Sequence, residues 1–197
     1  TPISSLLGWL TILDQHDVDE KILDQIKRDI KRLETISARF SKIGSLPNKK
    51  EVKLSAVADD LVSYMQIRMP KEVALHIHKN GDEKQVEVNS ELIAWVLENL
   101  IKNSIDAIRG KGTITIDMSW ESTAIVTVQD TGSGMSKKLQ KTIFNPGITT
   151  KKRGWGLGLS LAKRIVEQYH GGKLRLAESS EKGSTFEIQL PLKQKYS

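Results

Sequence analysis

The stretch ENLIKNSIDA, residues 98–107, decides how this chain is read. Asn99, Asn103 and Asp106 stand four and three residues apart, so in a helix their amide and carboxylate groups emerge on one face. Leu97, Leu100, Ile101, Ile105 and Ile108 occupy the opposite face and belong in a core. The periodicity extends over SELIAWVLENLIKNSIDAIRG, residues 90–110, which predicts a long helix with Ser90 as its cap and Gly110 as its stop. Oxygen donors at this spacing suit a magnesium ion already bound to phosphates, because magnesium prefers hard oxygen ligands and keeps several waters. By the residues alone, a solvated helix face accounts for them equally well.

Alternating apolar positions flank this helix and read as strands. Upstream stand EVALHIHK and KQVEV, residues 72–79 and 84–88; downstream stand GTITIDMSW and TAIVTVQD, residues 112–120 and 123–130. Further upstream, VKL is a short strand, and Ser55 caps a helix from Ala56 to about Arg68, which Met69 and Pro70 end. LGLSLAKRIVEQYHGG, residues 157–172, is a last helix, and KLRLAES with STFEIQLPL is a closing strand pair. Helices mixed with antiparallel strands imply a two-layer α/β sandwich from residue 48 onward.

Two glycine-rich segments lie in this region. In QDTGSGM, residues 129–135, Asp130 ends a strand, while Gly132 and Gly134 permit a tight path close to a flat ligand. A carboxylate there can accept a hydrogen bond from an exocyclic amine, a charged bond that contributes roughly 1.5–3 kcal/mol. An ordinary loop, or the Asp-Thr-Gly turn of an aspartic protease, has the same residues; the long helices argue against the protease. In GWGLGL, Gly154, Gly156 and Gly158 precede a helix, where backbone N–H groups crowd phosphate oxygens. Thr149, Thr150, Lys151, Lys152 and Arg153 supply hydroxyls and cations in the connector before it, a composition suited to a lid over phosphates.

The first 47 residues are different. Ile3, Leu6, Leu7, Leu10 and Leu13 form one apolar helical stripe, and Asp17 with Glu20 forms a capping box that opens a second helix. Ile22, Ile26, Ile30, Leu33, Ile36, Phe40 and Ile43 continue as a heptad-like seam. A hairpin with two narrow stripes buries them best by pairing with a second copy, so a homodimeric four-helix bundle is expected; packing on the rest of its own chain is the alternative. GSLPNKK, residues 44–50, is the linker, which puts the domains at 1–47 and 48–197.

Composition narrows the function. The 197 residues are 38% hydrophobic, contain no cysteine and carry a net charge of +6. Disulfides and thiolate chemistry are excluded, and no apolar run approaches the roughly 20 residues of a membrane helix. The basic residues, despite a pI near 9.4, are scattered rather than clustered, which argues against nucleic acid as a partner.

The order of the segments carries a resemblance. A helix with two asparagines, then Asp-x-Gly-x-Gly, then Phe144 in an irregular stretch, then Gly-x-Gly-x-Gly opening a helix, resembles the N, G1, F and G2 boxes of sensor histidine kinases. These kinases belong to an ATPase superfamily shared with gyrase, heat-shock chaperone and mismatch-repair ATPases. The resemblance covers residues 51–192 and implies binding of ATP or ADP with Mg2+. It makes Asn103 the main magnesium ligand, assisted by Asn99, and makes Asp130 the residue that selects adenine. Gly132, Gly134, Met135, Gly154, Gly156, Leu157, Gly158 and Leu159 would lie along the nucleotide, with Phe144 anchoring the lid and Thr149, Thr150 and Lys151 toward the phosphates. GSTF, residues 183–186, would bring Thr185 close to Asp130. Many members have lysine where this chain has Asp106, whose role the resemblance leaves open, and Glu98 is a candidate for polarising a proton or water.

The family also places a dimerising, phosphoacceptor hairpin before its ATP domain. TPISSLLGW resembles the segment just after the acceptor histidine there, and that histidine would lie four residues before Thr1. None of the four histidines takes its place: His16 falls in the hairpin turn, His76 and His78 in a strand, and His170 in a turn. The implied activity is transfer of the γ-phosphoryl group of ATP to a histidine and onward to a response regulator receiver domain, with Thr1 near the docking surface. The chain alone would bind nucleotide without phosphorylating itself. The parent would be cytoplasmic in this portion and reach a membrane only through segments outside it. The alternative is a non-catalytic module that binds ATP to change shape.

Overall fold

The computed structural model describes Leu23, Ile26, Ile30, residues 48–151 and residues 156–192. The expected hairpin, Thr1, Lys152, Arg153 and Gly154 therefore lie outside the described residues, apart from three helical positions. The chain divides into two compact units, Thr1–Pro47 and Asn48–Ser197. In the first, Leu23 and Ile30 are buried and Ile26 is 37% exposed. Among the described residues no helix is long and apolar enough to cross a membrane.

The second unit has the α+β architecture expected from its alternating patterns. It contains β1 (Lys50–Val52), α1 (Leu54–Gln66), β2 (Val73–Asn80), β3 (Val86–Val88), α2 (Ser90–Ala107), β4 (Gly112–Trp120) and β5 (Thr123–Asp130). Then come α3 (Lys137–Gln140), α4 (Gly158–Arg164), a π-helical turn at Ile165–Tyr169, β6 (Lys173–Ser180) and β7 (Gly183–Pro191). A five-stranded sheet runs in the order β2-β4-β5-β7-β6, and β1 pairs separately with β3. The pairs β4–β5, β5–β7 and β7–β6 are antiparallel, but β2 lies parallel to β4. The sheet is thus mixed, because β3 and α2 form a crossover between β2 and β4, the long connection a parallel pair requires.

Alternation decides which side chains meet the helices. Ile114, Ile116 and Met118 of β4 and Val126 and Val128 of β5 are buried, while the residues between them are more exposed. The sheet therefore has one core face and one polar face. Val96, Leu97, Leu100 and Ile101 of α2 are at most 1% exposed. Each contributes about 1.5–3 kcal/mol through burial, before entropy is counted. Ala58 of α1 and Ala162 of α4 complete the helix layer, both fully buried.

Helix ends differ from expectation for local reasons. The cap of α2 is Asn89, not Ser90: Asn89 is extended and its side chain accepts the Leu92 N–H at 3.0 Å. The helix stops at Ala107, three residues before Gly110, and the Ala107 carbonyl accepts the N–H of Ser133 from the loop after β5. Ser55 is not a cap either. It lies inside the first turn of α1, whose flanking Lys53 makes no side-chain cap bond. Its N–H and hydroxyl both donate to the Glu83 carboxylate, at 2.9 and 2.6 Å. A carboxylate 28 residues away thus satisfies the exposed donors of the helix start, an anion placed favourably at its positive end.

The last helix is α-helical only to Arg164 before widening into the π turn. His170 is buried behind it: its Nδ1 bonds the Ile165 carbonyl at 2.8 Å, and its Nε2 accepts the Asn89 N–H at 3.1 Å. That pattern fixes a neutral imidazole with the proton on Nδ1, and burial holds its pKa below the ordinary histidine value. Gly171, at φ +63°, then turns the chain into β6.

Candidate functional site

One end of the site is built around Asp130, the last residue of β5. Its side chain is 3% exposed. One carboxylate oxygen accepts the Gly132 N–H at 2.8 Å and the Ser184 N–H at 3.3 Å. The other accepts the Ser104 hydroxyl at 3.2 Å. Burial pushes the pKa above the ordinary carboxylate range, and the bonds from Gly132, Ser104 and Ser184 partly offset the rise. The group is thus a fixed acceptor, oriented by three donors from α2, the following loop and β7.

Glycine is required here by space. A Cβ on Gly132 would lie 2.7 Å from the Ala107 Cβ and 2.8 Å from the Asp130 carboxylate. A Cβ on Gly134, at φ +62°, would lie 1.8 Å from the Ser180 carbonyl oxygen. Gly183, the first residue of GSTF, has φ +130°, and its Cβ would lie 1.8 Å from the Asp130 carbonyl oxygen. The loop therefore lies flat between the end of α2 and the β6–β7 hairpin. Ser179 holds it there by accepting the Met135 N–H at 2.9 Å and bonding the Ser184 hydroxyl at 3.0 Å.

The hydroxyl residue next to Asp130 is Ser184, not Thr185. In the β5–β7 register Asp130 faces Ser184, while Thr185 faces Gln129. Because strand neighbours point to opposite faces, Thr185 shares the polar face with Glu187 and Gln189, and Ser184 is 4% exposed on the core side. Ser104 is a second partner that sequence reasoning misses. Its signal is a polar residue in the apolar stripe, seven residues after Leu97 and four before Ile108.

The other end lies on the polar face of α2. Asn103 and Asp106 emerge together, and the Lys151 ammonium meets both: Nζ donates to the Asn103 side-chain oxygen at 2.9 Å and forms an ion pair with the Asp106 carboxylate. Thr149 shapes that turn by accepting the Lys151 N–H at 3.1 Å, while Thr150 is exposed. Asn99 sits deeper, against Gly158, where a Cβ would come within 2.5 Å of its side-chain oxygen. Its Nδ2 is buried without a hydrogen-bond partner, one of two such side-chain atoms among the described residues, the other being Trp120 Nε1. Glu98 pairs with Lys102 at 2.5 Å on the next turn.

Around these groups, Gly156 at φ +64° accepts the Gly147 N–H at 3.1 Å, which ties together the two arms of the connector. Leu157 is the capping position of α4, and its carbonyl accepts the Ser160 hydroxyl at 3.0 Å; Leu159 lies in the first turn, half-buried. Phe144 meets Phe186 edge to face at 6.4 Å, and Lys163 lies 4.7 Å over its ring, so the start of the connector is anchored to the sheet.

The arrangement suits a ligand with a flat, amine-bearing end and an anionic end. A fixed carboxylate serves the first, and a buried amide donor, an amide oxygen that already holds a cation, and a lysine serve the second.

Comparison with known proteins agrees. Residues 88–194 match the family described as histidine kinase-, DNA gyrase B-, and HSP90-like ATPase. The chain is 28% identical, over 97% of its length, to the signal transduction histidine-protein kinase AtoS of Escherichia coli. Over 98% of its length it is 31% identical to sporulation kinase C of Bacillus subtilis. It spans 33% and 46% of those two proteins. The nucleotide-free catalytic domain of histidine kinase ThkA has 29% identity and a TM-score of 0.67, covering 73% of this chain and 95% of that one. A crystal structure of ThkA in complex with the response regulator TrrA covers all of this chain and 59% of that one, at 25% identity and a TM-score of 0.71. With the matched segment running from β3 through β7 and containing both ends of the site, this chain belongs to the histidine kinase-, DNA gyrase B- and HSP90-like ATPase family.

Proposed function

We propose that the chain is the ATP-binding core of a two-component sensor histidine kinase, which passes the γ-phosphoryl group of ATP to a histidine and then to a response regulator receiver domain. The observation that carries this is the pairing of a buried, three-donor Asp130 with the Asn103–Lys151 contact on the polar face of one helix, α2. Asp130 accepts the exocyclic amine of adenine. Gly132 and Gly134 let the base lie against backbone, and the unpartnered Asn99 Nδ2 donates toward the phosphates.

Magnesium fits Asn103, whose oxygen already faces a cation in Lys151. Among the described residues no three His, Cys, Asp or Glu side chains gather into a metal site, so the ion would rest mainly on amide oxygens, phosphates and water. When bound, the metal neutralises charge on the phosphates. The protein's own share is positioning: Asp130 fixes one end of the nucleotide, the Gly156–Gly158 backbone approaches the other, and Lys151 supplies a positive charge beside the group transferred.

The acceptor histidine belongs to a dimeric hairpin in this reading, with Thr1 near it and the response regulator docking there; domains 1–47 and 48–197 divide the two tasks. Ile26, on the expected seam, is 37% exposed in the single chain, surface that pairing would cover. This portion works in the cytoplasm, with no role for nucleic acid and membrane contact only through other segments. The test mixes the chain with Mg-ATP and a separate hairpin carrying the histidine. Radiolabel should appear on the hairpin, and Asn103→Ala should abolish the magnesium dependence of nucleotide affinity. Binding of ATP with no transfer to any hairpin would replace the kinase with a regulatory ATP-binding module.

A further inference from the structure

Asp106 is the residue of the site that the family resemblance leaves without a role. It stands three residues after Asn103, and the two side chains grip one ammonium between them. Lys151 Nζ bonds the Asn103 oxygen at 2.9 Å and is ion-paired to Asp106. The lysine reaches them from 45 and 48 residues away, so the contact is tertiary and not a helix-neighbour pair. The nearest acidic residue earlier on the helix, Glu98, is already paired with Lys102.

Resting on the nucleotide-binding reading above, we propose that Asp106 is a positioning residue that holds the Lys151 ammonium on Asn103 as a built-in substitute for magnesium, to be exchanged for the ion when the metal nucleotide binds. One amide oxygen does not serve both cations: an ammonium within hydrogen-bond distance and a divalent ion at about 2.0–2.1 Å would face each other across a few ångströms with like charge. Metal binding therefore expels Lys151 from Asn103. Asp106 keeps the expelled lysine near the phosphates instead of releasing it to solvent.

The hold is weak enough to be exchanged. Lys151 and Asp106 side chains are 41% and 52% exposed, so water and salt screen the pair. The backbone supports the arrangement: the Lys151 N–H is held by Thr149, and the connector's arms are joined where Gly147 donates to Gly156. Exchange thus moves a lysine side chain without unfolding the turn that presents it.

The test monitors a fluorescent adenine nucleotide bound to the whole chain while magnesium is titrated. Asp106→Asn and Lys151→Met should each lower the magnesium concentration at half-saturation by about two- to fivefold, and the double variant should go no further, because both remove one competitor. Both positions are exposed, and thermal unfolding of each variant checks that the fold is intact. A rise in half-saturating magnesium in Asp106→Asn would make Asp106 a metal ligand and overturn the exchange. Unchanged half-saturation in both variants would overturn it too, and an Asn103→Ala variant that still loses magnesium dependence would leave the nucleotide site standing. Failure of the unaltered chain to bind the nucleotide at all would remove the site and the exchange together.

Discussion

The two ends of the site are built in opposite ways. At Asp130 the carboxylate and its donors are buried and already bonded: three donors fix the carboxylate, and glycines at 132, 134 and 183 leave no room for a side chain. Around Asn103 the groups are half-exposed, and a lysine holds the amide oxygen proposed as the metal ligand. A base recognised by shape and one hydrogen bond gains from rigidity, since a fixed acceptor loses little entropy on binding. Phosphates and their metal bring large charges that must be desolvated and exchanged, and there a loosely held internal cation is the better arrangement.

The comparison can be broken most forcefully at the rigid end. Gly183→Ala forces a Cβ into the Asp130 carbonyl oxygen at a backbone angle side chains rarely adopt. It should cost about 3 kcal/mol or more and lower Tm by roughly 6–12 °C in a thermal scan. An unchanged Tm would mean that the β6–β7 hairpin is not held against Asp130 as described.

Next in size, Asp130→Asn should weaken adenine nucleotide binding by about 10–150-fold in a titration, the worth of a charge-assisted bond. The same residue separates binding from stability by pH. Its folded pKa is raised, so its contribution to stability is complete below the unfolded pKa and is lost as pH rises through the folded value. Adenine affinity should run the other way, because the ionised carboxylate is the better acceptor and is lost as pH falls through the folded value. Acidification should therefore weaken binding above the ordinary carboxylate range, and Asp130→Asn should remove that slope.

His170 offers a control outside both ends. Its folded pKa is lowered, so its stability contribution is present above the unfolded value of 6.5 and is lost as pH falls toward the folded value. Denaturant midpoints measured between about pH 7 and pH 5 should fall in the unaltered chain and flatten in His170→Gln. The smallest effect belongs to Glu98→Gln, which removes an exposed helix pair with Lys102 and should change stability by no more than about 0.5 kcal/mol.

Much of the site was legible because its requirements are local. Asn99, Asn103 and Asp106 share a face by helical arithmetic, and Gly132 and Gly134 signal a backbone path that side chains would block. Partners distant in sequence left weaker marks. Ser104 appears only as a polar interruption in an apolar stripe. The choice of Ser184 over Thr185 depends on strand register, which a one-residue shift reverses. The Lys151 contact joins residues 45 and 48 positions apart, with no periodicity to reveal it. Caps behaved likewise: Glu83 reaches Ser55 from another loop, and Asn89 takes the position expected of Ser90 because its backbone is the extended residue before the helix.

By itself, then, the sequence determined the α+β class, the helix that carries the polar triad, the strands that flank it and the family, because each comes from spacing within one element or from the order of short motifs. Tertiary structure alone decided the parallel pairing of β2 with β4, the three donors on Asp130 and the lysine set on Asn103. Those depend on which distant groups meet when the core closes, and desolvation and close packing fix that meeting only in three dimensions.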